Sequence, residues 1–125
     1  MRSSYDIITG GSYQGKLQYA RERFHLTDAD ICIGGVDFTK KCLAYIERWA
    51  LECVKSGTEP KDFFMNDPSA WRNKIIITTD ISGGVVPMDA TLRAWREASG
   101  RLNSALAAEA DEVWRLFCGI PQRLK

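Results

Sequence analysis

The sequence is poor in the residues on which metal, redox and nucleic-acid sites depend. It contains one histidine and four cysteines, and its 17 lysines and arginines nearly balance its 16 acidic residues, for a net charge of +1. No C-x-x-C pair occurs and His25 lies far from every cysteine, so no zinc site is expected. No basic run is dense enough to follow a phosphate backbone, so no nucleic-acid partner is expected. The cysteines are predicted to be small core residues: Cys32, Cys42, Cys53 and Cys118.

The chain also has no apolar run of membrane-spanning length, and no basic segment followed by a long apolar one that would resemble a signal peptide. Its 45% apolar and 26% charged residues are ordinary for a globular protein. A length of 125 residues predicts one domain, residues 1–125. A cytoplasmic protein without a membrane span is therefore expected.

The most informative feature present is a glycine-rich loop between a short apolar strand and a helix, within residues 5–24. Residues 10–16 match G-x-x-x-x-G-K, in which backbone N–H groups converge on phosphate oxygens and the lysine reaches the β- and γ-phosphates. A turn that merely joins a strand to a helix remains the alternative. Leu17 stands where this motif usually has a serine or threonine that binds Mg²⁺. The predicted nucleotide-binding residues are Gly10, Gly11, Ser12, Tyr13, Gln14, Gly15, Lys16 and Leu17.

Strand and helix patterns alternate along the rest of the chain, which predicts a parallel α/β sheet. The helices are predicted at residues 38–55, in a short segment starting at Pro60, and from a capping Asp89 to about residue 110. The strands are predicted at residues 74–79 and 113–118, with a weaker one at 31–33 and a last short strand or tail at Leu124. Gly100 weakens the long helix, and close packing or the approach of a ligand would explain it.

Polar residues near the ends of these elements are candidates for chemistry. Asp80 follows an isoleucine-rich strand, where it could hold Mg²⁺ through water, orient an attacking hydroxyl, or simply cap the strand end. Residues 82–87 form a glycine-containing loop that could close over a substrate or serve as a connector. Arg96, Arg101 and Asn103 could contact phosphate or lie on a solvated helix face. His25 fits a helix end.

Several of these strings together resemble the adenosylcobinamide kinase/adenosylcobinamide-phosphate guanylyltransferases of cobalamin biosynthesis. The opening strand and phosphate loop are similar, and the most specific likeness covers roughly residues 75–125. The segments that carry it are TTDI at 78–81, GVVP at 84–87, REASGRLN at 96–103, ADEVW at 110–114 and GIP at 119–121, together with Leu124 and Lys125.

The resemblance implies a P-loop NTPase-like three-layer α/β sandwich with a mostly parallel sheet, in a homo-oligomer. It implies GTP or ATP and Mg²⁺ as cofactors, phosphorylation of the aminopropanol hydroxyl of a cobinamide, and GMP transfer through a guanylylated histidine. It favours Lys16 and Asp80 as catalytic residues, with Asp80 acting on Mg²⁺ through water. It also favours Arg96, Arg101 and Asn103 as substrate or phosphate contacts.

The chain departs from the family pattern at Leu17, at Asp80, where the family commonly has glutamate, and in its shorter interior, which lacks the segment bearing the nucleophilic histidine. His25 does not lie in that motif. Two alternatives therefore stay open. One is a catalytically degenerate nucleotide-binding or assembly subunit, and the other is another small-molecule phosphotransferase on the same fold.

Overall fold

The computed structural model of the chain describes residues 4–81 and 89–125 as an α/β protein with one six-stranded sheet. The strands are β1 (Asp6–Gly10), β2 (Ile31–Ile33), β3 (Cys42–Ala44), β4 (Ile75–Thr79), β5 (Glu112–Phe117) and β6 (Ile120–Arg123). The α-helices are α1 (Lys16–Phe24), α2 (Ile46–Lys55), α3 (Pro60–Asn66) and α4 (Ala90–Glu109). Short 3₁₀ turns occupy Asp28–Asp30 and Pro68–Trp71.

The sheet has the strand order β2-β3-β4-β1-β5-β6, and every pairing is parallel except the one between β5 and β6. Strand β1 therefore lies in the middle of the sheet, paired with β4 on one side and β5 on the other. This arrangement confirms the predicted α/β fold with a mostly parallel sheet and is consistent with a P-loop NTPase-like sandwich. It also places the carboxyl ends of β1, β3 and β4 at one edge, where ligands of open α/β sheets bind.

Two apolar clusters cover the two faces of the sheet. One cluster joins α2, α3 and α4 to the sheet, and it includes Ala50, Phe64, Leu106 and Ile76. The other joins α1 to the opposite face through Ala20 and Ile77. All five residues of β4 are buried, as expected for a parallel strand covered on both faces. No helix in residues 4–81 and 89–125 combines the length and apolar character needed to cross a bilayer.

The prediction of a helix over residues 38–55 was wrong about where the helix starts, because Cys42–Ala44 forms β3. All three residues of this strand are buried, whereas a helix would have exposed some of them. Tyr45 then adopts a left-handed conformation (φ 56°) and the helix starts at Ile46. A three-residue strand followed directly by an amphipathic helix mimics helical spacing, since Cys42 happens to fall in phase with the true helical stripe.

The cysteines are not all core residues as predicted. Cys42 and Cys53 are buried and Cys32 is half-buried, but Cys118 is exposed at the turn between β5 and β6. Burial raises the pKa of the Cys42 thiol to about 12, so this group stays protonated and behaves as a small hydrophobe.

The long helix α4 forms as predicted, with the Asp89 side chain accepting a hydrogen bond from the N–H of Leu92. Close packing does not explain Gly100, because a Cβ added there would lie more than 4 Å from every described atom outside the adjacent backbone of its own helix. The predicted strand near the carboxyl end is confirmed as β5, and a short final strand, β6, ends just before Leu124. The predicted loop at residues 82–87 lies outside the described residues.

Candidate nucleotide-binding site

The phosphate loop connects β1 to α1, and its backbone N–H groups are available to bind a ligand. The N–H groups of residues 11–16 donate no hydrogen bond to any other residue within 4–81 and 89–125. Tyr13 (φ 59°) and Gly15 (φ 83°) adopt left-handed conformations within the loop, and alternation of this kind turns successive N–H groups toward one point. The loop ends at the amino terminus of α1, which adds the positive end of a helix dipole. This geometry is suited to a polyphosphate anion.

Lys16, the first residue of α1, is almost entirely buried, with 4% of its surface exposed. Its Nζ donates to the carbonyl oxygen of Gly11 at 2.6 Å, so the side chain folds back over the loop. Burial lowers the pKa of the Lys16 ammonium, and the carboxylate of Glu47 acts in the opposite direction. The cation is thus held at the loop, beside the unpaired N–H groups.

Glu47 is the buried carboxylate of this site, and it follows the end of β3 in the first turn of α2. Its Oε1 accepts a hydrogen bond from the N–H of Thr79 at 2.8 Å, and its backbone oxygen accepts one from Nε1 of Trp95 at 2.7 Å. These bonds tie α2 to the end of β4 and to α4. They fix the carboxylate close enough to Lys16 to influence its pKa.

A second cation, Arg48, lies at the same cleft. Its guanidinium carbon is 4.7 Å from the centroid of the Tyr45 ring, and Nζ of Lys16 is 6.0 Å from the same centroid. Arg48 forms no salt bridge with any residue in the described part of the chain. A guanidinium held on an aromatic ring beside the phosphate loop can bind a further phosphate oxygen.

These elements enclose the phosphate cleft, an open cavity of about 600 Å³. Its lining combines the loop tip, both cations, the buried carboxylate and a partly apolar wall. The lining residues are Ser12, Tyr13, Gln14, Gly15, Lys16, Leu17, Gln18, Tyr45, Glu47, Arg48, Thr79, Ile81 and Trp95. The volume is within the range of small-molecule sites.

The turn between β5 and β6 is hydrogen-bonded to the phosphate loop. The N–H of Gly119 donates to the backbone oxygen of Gln14 at 3.2 Å, and the N–H of Cys118 donates to the side-chain oxygen of the same glutamine. Gln14 is therefore occupied with fixing the loop through two bonds. Its role in nucleotide binding stays a prediction.

Asp80 does not line the phosphate cleft. It lines a neighbouring cavity of about 270 Å³, which we call the strand-end pocket, at the carboxyl ends of β1 and β4. The pocket's lining residues are Thr9, Asp80, Ile81, Arg96, Ser99, Gly100 and Asn103. Ile81 belongs to both cavities, and the N–H of Asp80 donates to the oxygen of Gly10 at 2.8 Å. The two cavities are therefore adjacent.

Two of the three polar residues predicted on α4 lie at this site and one does not. Arg96 and Asn103 line the strand-end pocket. Arg101 does not line this pocket. It forms a bidentate salt bridge with Glu59, in which Nη2 lies 2.8 Å from Oε2 and Nε lies 3.1 Å from Oε1. This pair lowers the pKa of Glu59 and raises that of Arg101. Arg101 joins α4 to the start of α3.

Sequence reasoning missed Glu47, Arg48 and Ser99. A signal for Glu47 existed, because it is a charged residue on the same helical stripe as the buried Ala50 and Cys53. This signal was hidden because residues 42–44 were predicted as part of the helix. Without the strand β3, the sequence did not show that Glu47 follows the carboxyl end of a strand, where ligands bind. Ser99 gave no signal, since a serine in a helix is ordinary.

A family model described as cobinamide kinase / cobinamide phosphate guanyltransferase matches residues 42–124. This range includes Glu47, Asp80, Arg96 and Asn103 but not the phosphate loop. Over 51 residues the chain is 39% identical to the bifunctional adenosylcobalamin biosynthesis protein CobU of Salmonella typhimurium and 37% identical to the protein of that name from Escherichia coli. Each alignment spans 41% of this chain and only 28% of the relative.

Proposed function

The chain belongs to the cobinamide kinase / cobinamide phosphate guanyltransferase family, and we propose that it binds a purine nucleoside triphosphate and phosphorylates a hydroxyl of a cobinamide. The observation that carries the nucleotide part is the loop at residues 11–16, whose N–H groups donate to no other described residue and lie beside the buried ammonium of Lys16. The cobinamide part rests on the family, and the two similar proteins, which act in adenosylcobalamin biosynthesis, supply the pathway.

In this proposal the phosphates occupy the phosphate cleft, held by the loop N–H groups and by Lys16, with Arg48 as a further cation. The acceptor hydroxyl attacks the terminal phosphorus, and the bond from that phosphorus to the bridging oxygen breaks, which leaves a nucleoside diphosphate. Asp80 accepts the hydroxyl proton. Its place in the strand-end pocket, next to but not within the cleft, supports this role over direct contact with the phosphates.

A Mg²⁺ ion is compatible with the residues present. Mg²⁺ bound to a nucleotide needs only one or two protein carboxylates, because phosphates and waters supply its other ligands. The described residues contain no cluster of three or more acidic, histidine or cysteine side chains, but Glu47 provides one carboxylate inside the cleft and Asp80 another nearby. When bound, the ion would neutralise charge on the phosphates. Leu17 has no oxygen that could bind the ion, so water would take that position. Glu47 and Asp80 would hold the ion through water.

Guanylyl transfer is not part of the proposal for this chain. His25 is the only histidine in the sequence, and it caps the carboxyl end of α1 in a left-handed conformation. The phosphate loop lies at the opposite end of this nine-residue helix. At about 1.5 Å of rise per residue, the imidazole is more than a helical turn too far away to attack a bound nucleotide.

The alternative function is a non-catalytic subunit that keeps the nucleotide site. It is favoured by Leu17, which stands in the lining of the cleft where a hydroxyl would bind Mg²⁺. Incubation of the purified protein with adenosylcobinamide, Mg²⁺ and either GTP or ATP separates the two functions. We expect mass spectrometry to detect the phosphorylated cobinamide. Nucleotide binding at micromolar concentration without any product would instead support the subunit.

The Leu17→Ser variant tests whether the missing hydroxyl weakens metal binding. We expect it to bind the nucleotide more tightly than the wild type in the presence of Mg²⁺, by about 3- to 10-fold for one added ligand, and equally in the presence of EDTA. Leu17→Ala is the matched control, because it removes the same packing against the core without adding an oxygen. Equal Mg²⁺-dependent affinity of the serine and alanine variants would contradict the missing-ligand explanation.

A further inference from the structure

Tyr45 has a backbone conformation that is rare for a bulky residue. Its φ of 56° and ψ of 51° are left-handed, although it is not a glycine. It stands between β3 and α2, at the carboxyl ends of the parallel strands, and its side chain lines the phosphate cleft. Within the described residues, its side chain forms no hydrogen bond that caps α2 and would explain this conformation. Strained residues of this kind cluster at sites where a ligand is bound.

The conformation of Tyr45 places its ring under the guanidinium of Arg48. The guanidinium carbon lies 4.7 Å from the ring centroid, and the backbone N–H of Arg48 donates to the oxygen of Tyr45 at 3.0 Å. The aliphatic stem of Arg48 packs close to Gly34, where an added Cβ would lie 3.4 Å from Cδ of the arginine. The guanidinium is therefore exposed but already positioned, which lowers the entropic cost of binding an anion.

Arg48 also carries the net charge of the phosphate cleft. Three of the described lining residues have ionised side chains, namely Lys16, Glu47 and Arg48. Lys16 and Glu47 are close enough for their charges to offset each other. Arg48 forms no salt bridge within residues 4–81 and 89–125, so its charge remains for a ligand.

The position of Arg48 indicates which phosphate it would meet. In a G-x-x-x-x-G-K loop the lysine reaches the β- and γ-phosphates. Nζ of Lys16 lies 6.0 Å from the centroid of the ring that holds Arg48, so both cations can reach the same phosphate. The β-phosphate has two non-bridging oxygens, whereas the terminal phosphate has three. The terminal phosphate is therefore the better partner for the loop, the ammonium and a bidentate guanidinium together.

We propose that Arg48 binds the terminal phosphate of the nucleotide, and that the phosphate cleft thereby selects a nucleoside triphosphate over the corresponding diphosphate. Tyr45 acts as the positioning residue of this guanidinium. The inference rests on the proposed function, since it assumes that the polyphosphate lies in this cleft. Transfer of the terminal phosphoryl group to the acceptor would remove the contact. The nucleoside diphosphate would then be held by the loop and Lys16 alone, and it would dissociate more readily.

The Arg48→Gln variant tests the contact by comparing two classes of nucleotide. Nonhydrolysable analogues of GTP and ATP, and the diphosphates GDP and ADP, are titrated calorimetrically without any acceptor. We expect the variant to bind the triphosphate analogues about 10- to 100-fold more weakly than the wild type, and the diphosphates within about 2-fold of it. Arg48→Lys keeps the charge but not the bidentate geometry, so it should lose less. Arg72→Gln, which replaces an exposed arginine outside the cleft, is the matched control and should bind like the wild type.

The Tyr45→Phe and Tyr45→Leu variants test the positioning role of the ring. Phenylalanine keeps the aromatic face, and we expect it to retain the preference for triphosphates. Leucine removes that face while Arg48 keeps its charge, and we expect the ratio of triphosphate to diphosphate affinity to fall about 2- to 5-fold. Circular dichroism at the titration temperature checks that both variants are folded. An unchanged ratio in Tyr45→Leu would overturn the role of the ring.

The possible results distinguish this inference from the proposed function. Loss of the triphosphate preference in Arg48→Gln, without any phosphorylated cobinamide from the wild type, would support the contact and overturn the kinase reaction. Equal weakening of triphosphates and diphosphates would place Arg48 on another part of the nucleotide and overturn the inference alone. Unchanged binding of both classes would also overturn the inference alone. Binding of none of these nucleotides by the wild type would overturn both.

Discussion

Replacement of Lys16 by methionine is expected to weaken the binding of GTP and ATP by about 10- to 100-fold. A charge-assisted hydrogen bond contributes about 1.5–3 kcal/mol, and each 1.4 kcal/mol is a factor of ten in affinity. Methionine keeps the length of the buried aliphatic stem, so packing against the loop is largely retained. The loss should therefore report the missing ammonium and not a collapsed loop. Isothermal titration with each nucleotide measures it.

The environment of Lys16 makes this loss larger than removal of an exposed lysine would. The ammonium is nearly buried and bonds to the oxygen of Gly11, so it needs little ordering before it meets a phosphate. Without it, the carboxylate of Glu47 faces the phosphates with one fewer compensating charge. Lys55→Met, on the exposed end of α2, is the control and should bind like the wild type. Unchanged affinity in Lys16→Met would remove the basis for a nucleotide site.

The sequence was sufficient to predict the elements that have a strong local pattern. The glycine loop, the isoleucine run of β4 and the capped helix α4 all formed at the predicted positions. In each case a residue type with a local physical cause marks the element: glycine where φ is positive, a continuous apolar run where both strand faces are buried, and an aspartate where a helix begins.

The sequence was insufficient where position depends on tertiary partners. The three residues of β3 are a strand because β2 and β4 flank them, and nothing local distinguishes them from a helical turn. For the same reason the sequence could not show that Arg101 meets Glu59, 42 residues away, instead of the site. Nor could it show that the hydroxyl of Ser99 is buried with no hydrogen-bond partner among the described residues, since this depends on how α4 packs against the sheet.

The second large effect is expected for Gly10→Ala, which should lower the free energy of unfolding by about 3 kcal/mol. Gly10 ends β1 in the middle of the sheet with φ of 146°, a conformation that residues with a side chain rarely adopt. A Cβ there would lie 2.5 Å from the backbone oxygen of Leu116 on the paired strand β5. The strained backbone costs about 1–2 kcal/mol and the forced displacement about 1–3 kcal/mol.

This cost should lower the melting temperature of the Gly10→Ala variant by about 10 °C, as measured by circular dichroism. Gly100→Ala is the control of opposite sign, because its Cβ would meet open space in the middle of α4 and alanine favours the helix by about 0.5–1 kcal/mol. We therefore expect one glycine-to-alanine change to destabilise the protein and the other to stabilise it. If both variants melted at the wild-type temperature, β1 and β5 would not approach each other this closely beside the phosphate loop. The described positions of the loop N–H groups would then also be wrong.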